Sequence, residues 1–527
     1  MTCKLTTLPF DCLHEIIEYF EKDRITLHSC LLVNRLLCEI SVKILWGDIK
    51  DISSYKTSSL SFFNTIIACL PNESKELIFN NEIFISKPTL QSPLFNYAKF
   101  CKKLSITDIS KIINYSLGNE LTINQINIED KKYLITNEVI KMFMNQASLK
   151  ILTYCYCPLK NNYSFSCLPG IRNLSEFQCN SNLSSDFFHQ LSQICHNLQS
   201  ISISFENDIS NKLKELISLQ NNLKSLTLRV RSGTSWKKII PSLTKNSNKL
   251  TKLHLHSENN DNLPLSFISL FTNLQEFKFS FLSYFVSYIN IKDFEKLQHI
   301  NFPKLQTLKI PYQCPKPEYL MKFLEINGKN LRRVYICEGI CEGIFNTVFN
   351  PKGLNKNLIL SIANFCPNLE RLSVRINSGE SYNTLETIFN NCQYLEFISV
   401  WCGKKDMTGI LFDIVATYSS KYFCELVLYN SNLYLINSKD LELFLISWKN
   451  RKPKKLLTLV IIRNTTIDEY EEYKGNIIND ENNEDSHDEL SNRDQNLKII
   501  EEYKKLDIIK FRIENIKEEE ESEYYFY

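Results

Sequence analysis

A short pattern, Leu-x-x-Leu-x-Leu with Ile, Val or Phe at some of the apolar places, returns along most of this chain at a nearly fixed distance. It opens at Leu149, Leu174, Leu198, Leu223, Leu250, Leu274, Leu305, Leu331, Leu369 and Leu395, in steps of 24 to 27 residues with two wider ones of 31 and 38. Weaker copies open at Cys101, Phe423, Leu456 and Leu506. The alternation is that of a short strand, and the stretch before it has helical spacing, as in Phe187, Phe188, Leu191, Ile194 and Cys195. One strand and one helix cannot bury their own apolar side. Stacked copies share a continuous core, so the pattern demands a repeat architecture.

A period of about 25 residues lies in the leucine-rich-repeat range, with one strand and one helix per turn. The fold class expected is α/β, a leucine-rich-repeat solenoid over residues 98–465. Its form would be a horseshoe with parallel strands inside and helices outside. A terminal repeat is expected at 496–517. In such a strand the leucines point inward, and the third, fifth and seventh positions face the concave surface. That rule places Arg229, Lys252, His254, His256, Arg333, Tyr335, Arg371, Arg375, Phe397 and Trp401 on one face, cationic in the middle and aromatic further on. One reading is an ordinary solvated strand face. The other is a target site for an acidic or phosphorylated segment of a partner protein, because Arg, Tyr and Trp are the favoured anchor types.

The first forty-odd residues have a different rhythm. Leu13, Ile16, Ile17 and Phe20, then Leu27, Cys30 and Leu31, then Leu37, Ile40 and Ile44 mark three short helices. A block of this size is too small for a self-sufficient core and needs a cover. Its ordered residues Leu8, Pro9, Leu13, Ile16, Ile17, Cys30, Val33, Asn34, Arg35, Leu45 and Trp46 resemble an F-box over residues 5–48, with Asp11 where that family often has Glu. The resemblance implies a block that binds a Skp-family adaptor and, through it, a cullin. Its adaptor contacts would be Leu8, Pro9, Leu13, Ile16, Ile17, Phe20, Leu27, Val33 and Trp46. With the repeats, the chain is similar to the F-box and leucine-rich-repeat family. It would be the non-catalytic substrate receptor of a Skp-cullin-F-box ubiquitin ligase. The competing reading is a repeat scaffold or sensor whose helical N-terminus only caps the first repeat.

Composition serves mainly to exclude. Of 527 residues, 61 are Lys or Arg and 59 Asp or Glu, so a net charge of +2 gives no drive toward nucleic acid or membrane. No apolar run is long enough to span a bilayer, and 18 scattered cysteines suit a reducing compartment, so a cytoplasmic or nuclear location is expected. Cys195, Cys366 and Cys392 each stand three residues before a repeat Leu, which reads as one small buried slot rather than a metal site. No phosphate loop, zinc helix or nucleophile elbow is present, so neither cofactor nor catalysis is expected.

The remaining stretches punctuate the repeats. Residues 49–97 read as a helical or irregular linker, and 339–357 as a loop leaving the solenoid inside the 38-residue step. Residues 466–495 are acidic without apolar periodicity and read as a disordered insertion, with 518–527 as an acidic tail. Two placements of the acidic segments are open: free in solvent, or folded over the cationic face.

Overall fold

The computed structural model describes residues 8–49, 56–81, 83, 93–120, 128–155, 169–206, 209–231, 233–258, 263–282, 293–312, 314–336, 356–376, 379–401, 407–429, 433, 436–452, 454–463 and 484–515. It divides into two compact units, one of residues 1–227 and 241–246, the other of 228–240 and 247–526.

The first unit opens with α1 (Phe10–Glu18), α2 (Arg24–Leu31) and α3 (Arg35–Leu45). Pro9 precedes α1 and Asp11 lies in its first turn, where proline's fixed φ and a negative charge suit a helix start. Side chains cap the other two helices: Asp23 accepts from the Thr26 amide at 3.1 Å and Asn34 from the Leu37 amide at 2.9 Å. Leu13, Ile17, Leu27, Leu37 and Ile40 meet in one core, with Leu8, Phe20, Cys30, Ile44 and Leu45 packed against it.

Two helices follow, α4 (Lys56–Cys69) and α5 (Asn72–Asn80). The described part of the stretch expected as a helical or irregular linker is mostly helix. Trp46 lies on Phe62 at 4.9 Å and on Tyr97 at 4.5 Å, and Ser74 donates to the buried Glu138 at 2.7 Å. The strand opened by Cys101 is β1 (Lys103–Ser105), followed by α6 (Ile106–Glu120) and α7 (Ile128–Gln146). Regular repeats begin with β2 (Ile151–Tyr154) and β3 (Glu176–Asn180), then α8 (Ser185–Ile194), β4 (Ser200–Phe205), α9 (Asn211–Ser218) and β5 (Ser225–Val230).

After the short α10 (Ile240–Leu243), the second unit runs through β6 (Lys252–Glu258), β7 (Glu276–Leu282), α11 (Phe294–Leu297), β8 (Thr307–Ile310), α12 (Pro317–Asn327) and β9 (Arg333–Ile336). It continues with α13 (Lys356–Phe365), β10 (Arg371–Arg375), α14 (Gly379–Asn391), β11 (Phe397–Trp401), α15 (Met407–Tyr418), β12 (Glu425–Tyr429), α16 (Ser438–Lys449), β13 (Leu457–Arg463), α17 (Glu484–Lys505) and β14 (Ile509–Asn515). Strands are laid down in chain order, β1 to β5 and then β6 to β14, and the paired ones are parallel. The α/β leucine-rich-repeat class expected from the spacing is the class found.

Register follows the repeat. Leu152 pairs with Phe177 and Phe177 with Ile201 in the first unit. In the second, Phe277 pairs with Leu308, Leu308 with Val334, and Leu372 with Ile398. Each of these side chains is 0 or 1% exposed, and a fully buried Leu or Phe contributes roughly 1.5–3 kcal/mol over an exposed one. One expected register is displaced. β13 sets Leu459 against Phe511, so the last repeat opens at Ile508, and Leu506 is 48% exposed.

The cysteine slot is a packing device. Cys195 Sγ donates to the Ile171 carbonyl at 3.2 Å and Cys392 Sγ to the Cys366 carbonyl at 3.3 Å. Gln220 and Ser420 fill the same place in their repeats and donate to the carbonyls of Cys195 and Leu395. Burial pushes the Cys195 and Cys392 thiols up to about 12, which leaves them without thiolate chemistry.

The insertion expected at 466–495 is not wholly irregular, because α17 is helical from Glu484. Residues 466–483, the loop 339–355 and the tail 518–527 lie outside the described residues.

Candidate functional site

The N-terminal block sorts its apolar residues into two sets. Leu13 (1%), Ile17 (5%) and Leu27 (1%) are used up in its internal core, so as surface contacts these three expectations are corrected. Phe20 packs against that core, and Trp46 is occupied by Phe62 and Tyr97. Of the remaining expected contacts Leu8 is half-buried, whereas Pro9, Ile16 (42%) and Val33 (65%) are open.

Beside these stand residues the sequence reading passed over. Tyr19 is 91% exposed, Leu32 90%, Ile25 83%, Phe10 40% and Leu36 37%. Three of them, Tyr19, Ile25 and Leu32, break the period used to pick inward positions, and that is the signal that they point away from the core.

The candidate face on the repeats belongs to the second unit. β6 shows the expected alternation, with Leu253 and Leu255 buried and Lys252, His254 and His256 at the outward places. The cationic character is largely cancelled on the spot. His254 Nε2 and Lys309 Nζ each lie 3.2 Å from Glu276 Oε1. His256 Nε2 is 3.4 Å from Glu258 Oε1, and Arg231 reaches the same carboxylate at 3.8 Å. Arg371 and Arg512 share Glu425 at 3.2 and 3.8 Å. The hydrogen bond from His254 and the nearby Lys309 charge, working against burial, draw the Glu276 carboxyl down to about 2.

Further along the face the expectation of projecting anchors fails. Arg375 is 6% and Phe397 8% exposed. The Arg375 guanidinium lies 3.7 Å from the Trp401 ring centroid and Arg371 3.9 Å from that of Phe397. Trp401 stacks on Tyr429 at 5.5 Å, and Phe397, Val427 and Val460 form an apolar cluster with Ile462. The outward places of β10 to β13 are therefore a packed layer. Arg229 is half-buried, and Tyr335 lies under the Lys309 ammonium at 5.5 Å. Lys252 and Arg333 are exposed cations with no ion-pair partner among the described residues.

A third feature lies along the edge where the strands begin. The residue before the framework Leu is often Asn, and these side chains tie one repeat to the one before. Asn222 Nδ2 donates to Asn197 Oδ1 at 3.4 Å, Asn273 to the Asn248 carbonyl at 2.6 Å and Asn368 to the Lys329 carbonyl at 2.9 Å. Lys249, Lys304 and Tyr394 stand where Asn would be, and the side chain of Asn330, between the last two, has no hydrogen bond among the described residues. A cavity of about 410 Å³ opens at this break, lined by Pro303, Lys304, Gln306, Lys329, Asn330, Arg332, Asn368, Glu370 and Tyr394.

Among the described residues no cluster of three or more His, Cys, Asp or Glu side chains is arranged to hold a metal ion, and no helix is long and apolar enough to cross a membrane. No model of a known protein family matches the chain, and no curated protein matches it. Among solved structures, one described as the crystal structure of the Rad7 and Elc1 complex in yeast aligns over 88% of this chain and 87% of that chain. The identity is 14% and the TM-score 0.37, too low for the likeness to bear on this chain.

Proposed function

We propose that this chain is a non-catalytic receptor that docks on a Skp-family adaptor of a cullin ubiquitin ligase through its N-terminal block and holds a target protein on its repeats. One observation carries the docking half: Tyr19, Ile25, Leu32 and Val33 stay 65 to 91% exposed on a block of three short helices. A plain cap for the first repeat would spend such residues inward, against its neighbours. Here Trp46 and the Lys103 pairs with Glu21 and Asp48 supply those inward contacts, and the apolar set is left over. Catalysis has no part in this reading, and a cytoplasmic or nuclear location accompanies it.

The test is co-purification of the full chain with a Skp-family adaptor, beside a Tyr19→Ala, Leu32→Ala, Val33→Ala variant. All three side chains are exposed, so the variant keeps its fold and its loss of adaptor would be specific. An adaptor that fails to bind the parent chain overturns the proposal in favour of a repeat scaffold.

A further inference from the structure

We propose that the groove at the break in the asparagine series binds an acidic, extended segment of a partner protein. The inference rests on the reading of the repeats as a target-holding surface and places the acid-binding site at their edge rather than on the charge-balanced strand face. Three cations, Lys304, Lys329 and Arg332, line the groove against one acid, Glu370. Arg332 Nη1 already meets Glu370 Oε1 at 2.6 Å, whereas Lys304 and Lys329 have no ion-pair partner among the described residues.

The amides that open the strands there are engaged. The amides of Gln306, Arg332 and Glu370 donate to the carbonyls of Gln275, Gln306 and Arg332 at 2.9, 2.9 and 2.8 Å. Recognition therefore falls to side chains, and Gln306 and Asn330 offer amide groups with no partner among the described residues. Tyr394, 52% exposed and stacked on Tyr422 at 5.8 Å, closes one end with an aromatic wall.

Size and polarity select the occupant. From β8 to β11 there are three strand intervals of ~4.8 Å, a span of about 14 Å, which four or five extended residues cover. Small-molecule sites are mostly apolar, and this lining is polar. A nucleic acid would need several phosphates neutralised, more than two free lysines supply.

The test uses the full chain without adaptor and a short fluorescein-labelled oligoglutamate, read by fluorescence anisotropy. An oligoglutamine of the same length and an oligothymidylate of matched charge serve as controls. Binding should favour oligoglutamate, fall roughly tenfold in Lys304→Glu with Lys329→Glu, and survive in Arg333→Glu on the strand face. Thermal melts confirm that these exposed variants keep the fold. The proposal is overturned by absent binding, by retention in the double variant, by equal loss in Arg333→Glu, or by equally tight oligothymidylate. Any of those results leaves adaptor docking untouched, because the adaptor is not in the assay.

Discussion

Leu198, Leu226, Leu308 and Leu372 in the repeats are 0% exposed, whereas in the N-terminal block Tyr19 and Leu32 are 90% exposed or more. Both regions are strongly patterned, and both bury a leucine core. They differ in what is left once that core is made. A repeat always has a neighbour on which to lay its strand and helix, so its framework leucines are consumed by stacking. Among the described residues, the block gathers five buried residues in its own core and leaves a surplus of large apolar side chains outside it. In the repeats a framework leucine reports on stability. In the block an apolar residue reports on stability or on association, and burial decides which.

The strongest way to break this comparison is a framework truncation. Leu308→Ala should cost about 3–4 kcal/mol in denaturant unfolding of the full chain, the usual result for a wholly buried Leu; a cost below about 1 kcal/mol would mean that the repeats are loosely stacked. Leu13→Ala in the block should cost about 2–3 kcal/mol. Hydrogen exchange should show that loss confined to α1 to α3, and a loss spread through the repeats would contradict a separately cored block.

A smaller effect is expected on the strand face. Glu276→Gln should cost on the order of 1–2 kcal/mol at neutral pH, because it removes the negative charge shared by His254 and Lys309. Its folded carboxyl is drawn from the usual 4.5 to about 2. A depressed folded value gives stability that is complete above the unfolded value and is lost as pH falls through the folded one. The gap between parent and variant should therefore close between pH 4.5 and 2, and a gap constant across that range would show that the carboxylate is not held by its cations. Smallest of all, Tyr19→Ala and Leu32→Ala should each shift stability by no more than about 0.5 kcal/mol, while both weaken adaptor capture. A large destabilisation by either would place these side chains in the core and erase the contrast.

Much of the architecture could be read in advance, because a period of about 25 residues leaves few alternatives and every framework leucine from Leu149 to Leu395 is buried as the pattern demands. The register failed at the terminal strand, where Leu506 and Ile508 compete as the opening apolar residue and pairing to β13 decides for Ile508. Function was less legible for two physical reasons. A helical period marks Leu13 and Ile16 alike as apolar-face residues, although one is 1% and the other 42% exposed. Charge on the strand face is set by cross-strand neighbours such as Glu276 and Lys309, twenty to forty residues apart in the chain, and a list of cations cannot show which of them are already answered.

The stepwise register has an evolutionary corollary. Thr307 pairs with Glu276 on one side and Arg333 on the other, and Lys309 likewise separates Lys278 from Tyr335. Deleting the whole copy from Leu305 to Asn330 would bring β7 against β9 with Phe277 facing Val334 and Glu276 facing Arg333, an apolar match and an opposite-charge match. Copy number is thus a heritable variable that recombination between copies can change while the surviving copies keep their alignment, and the edge groove, which takes Lys329 and Asn330 from the deleted copy, is a trait one such event would erase.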